Sequence, residues 1–130
     1  MFKFILTILL AIVCGNAAAE WIKLTELEAG SVYVDPASVL RDGDVVKLGS
    51  LYDLKSAIVS MTNGKPYASQ KLQSEYDCRG EKWRMLHFSW HSGKMGEGKM
   101  VEYLADAYAW APVPPGSGVQ ILWDFACGKN

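Results

Sequence analysis

The chain reads as an α+β domain: a single antiparallel β-sheet meander of about five to six strands, with a C-terminal α-helix packed on one face and tethered by a disulfide. Three observations predict it. Apolar and polar residues alternate with period two across most of the chain after residue 30, the signature of half-buried strands. Asp42-Gly43 and Asn63-Gly64 punctuate that alternation as hairpin turns, and short connections favour antiparallel neighbours. After Pro112, Pro114 and Pro115 the apolar period changes to that of a helix.

Residues 1–19 read as a cleavable export signal rather than as part of the domain. Lys3 supplies the positive region, "FILTILLAIV" the apolar core and Ala17-Ala18-Ala19 the small-residue cleavage site, with the cut before Glu20. The apolar run is short for a bilayer span, so no stable membrane span is expected after cleavage. Cys14 raises lipid modification as an alternative; Ala11-Ile12-Val13 before it departs from the pattern such a site wants. Residues 20–130 then form one domain with a modest core. Of three cysteines, Cys78 and Cys127 remain, and two thiols in one small exported domain pair.

"WIKLT" opens the domain as a short strand. In "SVYVD", Val32 and Val34 take one face, and Ser31, Tyr33 and Asp35 the other. Pro36 interrupts the ladder, because it has no N–H to donate. Beyond Asp42-Gly43, Val46, Leu48, Tyr52, Leu54 and Ile58 share a face opposite Lys47, Asp53 and Lys55. "YASQKLQSEYDC" places Leu72, Tyr76 and Cys78 in phase, and Arg79-Gly80 connects it tightly to "KWRMLHFSWHS". There Leu86, Phe88 and Trp90 are in phase. Gly93, Gly96 and Gly98 mark a loose loop before a last strand in "KMVEYLADAY".

Ser117, three residues before Gln120, has the spacing of a capping box. Val119, Leu122, Trp123 and Ala126 follow on one helical face, and Gly128 is a stop signal. A helix this short is marginal alone and needs a surface to lie on. Cys127 projects near its apolar face, so the bridge to Cys78 would fasten the helix to the sheet.

Charge excludes several partner classes. Without Lys3 the chain holds twelve basic and fourteen acidic residues and no basic run, so neither nucleic acid nor an anionic surface is indicated. His87 and His91 would lie about 13 Å apart along a strand, too far to share a metal ion. Asp35, Asp42 and Asp44 lack calcium-loop spacing and read as turn formers. Glu97 and Glu102 show no sign of an acid–base pair, and no nucleophile motif or phosphate loop is present. The expectation is a protein that is not an enzyme and takes no cofactor or metal. The aromatics suggest binding instead. If Leu86, Phe88 and Trp90 face the core, then Trp83, Met85 and His87 face outward, and Tyr33 is likewise out of phase with Val32 and Val34. These four are the candidate binding face, and a single bulge would reverse the assignment.

Several stretches resemble the surface-adhesin protein E-like family of small exported bacterial proteins: "AEW", "VYVDPASVLRDGDVVKL", "GKPYASQKLQSEYDC", "FSWHSG" and "LWDFACGK". The resemblance runs through nearly all of residues 20–130. It implies an antiparallel sheet with a disulfide-tethered C-terminal helix, the bridge falling on Cys78 and Cys127. It also implies attachment to extracellular or envelope proteins, from the periplasm or outer surface of a Gram-negative cell. The competing reading is a periplasmic structural or accessory protein with no host contact.

Overall fold

The computed structural model describes residues 20–129. Residues 1–19, expected from the sequence to be an export signal, and Cys14 among them, lie outside the described residues. Among the described residues seven strands, a single 3-10 turn (Lys94–Gly96, between β5 and β6) and one α-helix follow in order: β1 (Ile22–Glu26), β2 (Gly30–Asp42), β3 (Val45–Val59), β4 (Pro66–Asp77), β5 (Lys82–His91), β6 (Met100–Leu104), β7 (Ala111–Pro112) and α1 (Gly118–Ala126). β1 to β6 pair consecutively and antiparallel, a meander. The two-residue β7 adds a strand to the expected number and shares β5 with β6: Trp83 pairs with Ala111, and Phe88 with Leu104.

β2 runs through Pro36, but its ladder with β3 breaks between Asp35 and Leu40. Proline therefore sits where no N–H is needed. Ser38 fills the gap. Its hydroxyl donates to the Asp35 carbonyl at 2.6 Å and accepts the Gly49 N–H at 2.7 Å. Asp35 also accepts from the Ala37 N–H through its own side chain, the turn-forming role expected of it.

Val32, Val34, Val46, Leu48 and Tyr76 line one face of the sheet and bury against Leu122, Trp123 and Ala126 of α1. Ile58, expected with these core residues, is 45% exposed. The pairing of β3 with β4 breaks between Asp53 and Ile58, so the alternation that holds to Leu54 does not carry through.

α1 begins where expected. The Ser117 hydroxyl accepts the Gln120 N–H at 3.2 Å and donates to the Pro114 carbonyl at 2.6 Å. The capping box is half formed, since the Gln120 side chain turns forward to Asp124 at 3.1 Å. At the other end Gly128 takes a positive φ of 68° beyond the helix. Cys127 bridges Cys78 at the end of β4, with Cα atoms 5.4 Å apart. Beside the bridge the Trp123 indole donates to the Asp77 carbonyl at 2.9 Å, and Arg41 donates to the Ala126 carbonyl at 3.4 Å. The helix is thus held covalently, by hydrogen bonds and by apolar burial at the same end of the sheet.

The segment 92–99 is strapped down, not the loose loop its glycines suggest. The Met95 N–H donates to Asp53 at 2.8 Å, and Lys94 pairs with the same carboxylate at 3.3 Å. The Ser69 hydroxyl donates to the Gly93 carbonyl at 2.6 Å and accepts the Gly96 N–H at 2.8 Å. Gly96, at a φ of +75°, lies over Leu51 and Lys71 on the face away from α1. Among the described residues no helix is long and apolar enough to cross a membrane.

Candidate functional site

One extra residue in β5 decides which side chains meet. Gln73 pairs with His87, but Ser74 pairs with Met85, so Leu86 is left over as a bulge. Phe88 and Trp90 pair with Leu72 and Gln70, on the face that α1 covers. Trp83 and Met85 pair with Tyr76 and Ser74, on that same face. The expected binding face therefore divides. Trp83 packs against the core and Met85 lines the space under the helix, whereas His87 and Tyr33 lie on the opposite face. Those two are three strands apart, about 14 Å across the sheet. The four do not form one surface.

What assembles instead is an aromatic groove on the helix side, beyond the reach of α1. Its volume is about 520 Å³. Met85, Phe88 and Trp90 of β5 form its floor with Gln70 of β4. Leu104 and Tyr108 close one side, and Thr62 and Glu102 stand at the rim. The tip of the β3–β4 hairpin is fixed across to β6, where the Asn63 amide donates to the Val101 carbonyl at 3.0 Å. Hence the groove has a built wall.

The aromatics are mutually ordered. Tyr67 stacks on Trp90 with ring centroids 4.3 Å apart and planes 13° apart, and Phe88 stacks on Trp90 at 5.1 Å. The Trp90 indole N–H donates to Gln70 Oε1 at 2.8 Å. An indole can only donate, so the amide oxygen must face it, and the Gln70 NH₂ is left for the groove and the space under α1. Partial burial, with Glu102 adding to it, raises the Tyr67 phenol above its ordinary pKa, so it stays neutral at physiological pH. Tyr108, at the margin, is 47% exposed.

The opposite face carries charge. Arg84 pairs with Glu75 at 2.7 Å and lies over the Trp110 ring at 4.8 Å, beside a cleft of about 330 Å³ that Arg41 and Lys47 also line. His87 lies 6.0 Å from Tyr103 in a tilted arrangement. His91 is buried against Ser89, whose hydroxyl is 2.7 Å from Nε2. Among the described residues, no three His, Cys, Asp or Glu side chains gather as metal ligands.

Period two places Phe88 and Trp90 in phase on one face, and the structure agrees: Phe88 is buried as expected, whereas Trp90 stays partly open. Tyr67, Gln70, Leu104 and Tyr108 were missed. Their grouping depends on how far a nine-residue helix reaches, and that length is set by Ser117 and Gly128. The shortness of the helix against strands of ten to fifteen residues was the available signal that part of the face stays open.

A family model described as surface-adhesin protein E matches residues 21–128. No curated protein sequence matches the chain. Solved structures of Haemophilus influenzae protein E are similar in fold. Its crystal form II aligns at a TM-score of 0.65 and 13% identity, covering 83% of this chain and 87% of that one. Another structure of the same protein gives 0.62 and 13%, covering 83% of each chain. Protein E from a non-typeable strain gives 0.58 and 14%, covering 83% and 75%.

Proposed function

We propose a function from one premise: the chain belongs to the surface-adhesin protein E family. It is an exported, non-catalytic binding protein of the adhesin type, and residues 1–19 direct its export. Its partner is an extracellular or envelope protein, which presents an apolar or aromatic side chain to the groove at Trp90.

The observation that supports this is the groove-lining Trp90, held in order by its stacking on Tyr67 and Phe88. Trp and Tyr in a walled depression are the side chains that dominate protein interfaces, because they bury much area at little cost in rotamer freedom. A groove of this volume admits one or two side chains of a partner. The rim is polar, as at Thr62 and Glu102, which suits a site that must stay wet when empty.

Protease shaving of intact cells, followed by a binding screen against matrix, serum and envelope proteins, tests the reading. The expected result is surface cleavage, binding to at least one protein, and loss of most of that binding in Trp90→Ala and Tyr67→Ala. Protection until the outer membrane is opened, with no binding in the screen, would establish the periplasmic accessory role instead. Binding that survives both substitutions would remove the groove from the account.

A further inference from the structure

A second space lies beneath α1, between the helix and the sheet, with a volume of about 220 Å³. Its sheet side carries the hydroxyls of Ser50, Ser74, Tyr52 and Tyr76. Trp83, Val119 and Leu122 supply apolar wall. Ser74 stands beside Tyr76 on this side and opposes the rise in the Tyr76 pKa that burial causes. Ser50 Oγ, in contrast, is fully buried and has no hydrogen-bond partner among the described residues. A buried hydroxyl left unpaired costs free energy that an alanine of the same shape would not. Such an atom facing a cavity is what a site for a hydrogen-bonding ligand contains.

The cavity has an entrance. An outer space of about 280 Å³ shares Tyr52, Gln70 and Val119 with it and opens between the start of α1 at Gly118 and the β1–β2 turn at Leu27. At the inner end Gln70 presents its NH₂, because its oxygen is committed to Trp90.

We propose that this cavity binds a small uncharged molecule, a single ring bearing a carbonyl or hydroxyl that hydrogen-bonds Ser50 and Gln70. Size follows from volume. A cavity of about 150 Å³ is enough for benzene, so this one takes a ring with a few further atoms. Neutrality follows from the lining, which holds no Asp, Glu, Lys, Arg or His. Burial holds the Tyr52 phenol up to about 12 and raises Tyr76 as well, so both remain neutral hydroxyls. A charged ligand would lose its hydration with no counter-ion in return.

Three probes of nearly equal size separate the possibilities: benzamide, benzoate and toluene, titrated into the isotope-labelled chain 20–130 and followed by backbone amide shifts. Benzamide is expected to give saturable shifts at Ser50, Ser74 and Val119, with benzoate at least tenfold weaker. Toluene is expected to be several-fold weaker than benzamide. Ser50→Ala should weaken benzamide about fivefold and leave toluene unchanged. No saturable binding, equal binding of benzamide and benzoate, or shifts confined to Thr62, Trp90 and Leu104 of the open groove would each overturn the proposal. Loss of groove binding to a protein partner would not touch it, so the two readings fail separately.

Discussion

Removing the Cys78–Cys127 bridge tests how the terminal helix is held. The substitution is Cys78→Ala with Cys127→Ala, which avoids leaving a free thiol. The cysteines are 49 residues apart in sequence. Closing a loop of that length in the unfolded chain costs entropy equivalent to about 4 kcal/mol at room temperature. Without the bridge the unfolded state regains that freedom. The native contacts of Trp123 with Asp77 and of Arg41 with Ala126 remain, so the folded state is expected to keep its architecture. Unfolding entropy of about 2.1 cal/mol/K per residue over the domain makes each kcal/mol worth roughly 4 °C. The melting midpoint should therefore fall by about 17 °C. Thermal and urea unfolding of the oxidised wild type and the double variant measure this directly. Midpoints within a few degrees of each other would refute the reasoning and show that the non-covalent contacts alone hold the helix.

Ser50→Ala should raise stability of the unliganded protein by about 1 kcal/mol, since it deletes an unpaired buried hydroxyl. A lowered urea midpoint would mean that the hydroxyl is bonded after all. Ser38→Ala should cost about 1–3 kcal/mol and speed hydrogen exchange at Gly49, whose N–H has its acceptor in Ser38 within the ladder gap. An unchanged Gly49 exchange rate would contradict that role. Burial first, and Lys71 second, depress the pKa of His91 below its ordinary value of 6.5. The unfolded chain then takes up a proton before the folded one does, so stability should be level above that pH and decline as pH falls through it. His91→Gln should flatten that portion of the curve; parallel curves for the two proteins would show that His91 does not contribute to it.

Much of the architecture is legible in residue types with a local cause. Asp42-Gly43 and Asn63-Gly64 mark hairpins, and Gly43 and Gly64 do take the positive φ such turns require. Ser117 and Gly128 bound the helix for equally local reasons. Which aromatic side chains share a face is not legible, because alternation counts residues and a bulge changes the count. Nothing in "KWRMLHFSWHS" announces that Leu86 is the odd residue; only its pairing with β4 does. Segment 92–99 departs from the loose loop its glycines suggest for a related reason. Its glycines suggest freedom, whereas Asp53 and Ser69, more than twenty residues earlier, use the conformations glycine permits to pin the chain. The groove likewise depends on where α1 stops relative to strands that the sequence does not place beneath it.

The disulfide also fixes how the molecule bears tension. A pull between residue 20 and the C-terminus travels along the chain to Cys78 and crosses the bridge to Cys127. The intervening residues 79–126, about 170 Å of extended chain, cannot lengthen under that load. β5, β6 and α1 lie within the shielded ring, and so do Phe88, Trp90, Leu104 and Tyr108. β1 to β4 lie in the part that stretches. Under force the sheet would yield first on the side of its amino-terminal strands, while most of the aromatic groove stayed within a loop that carries no strain along its backbone.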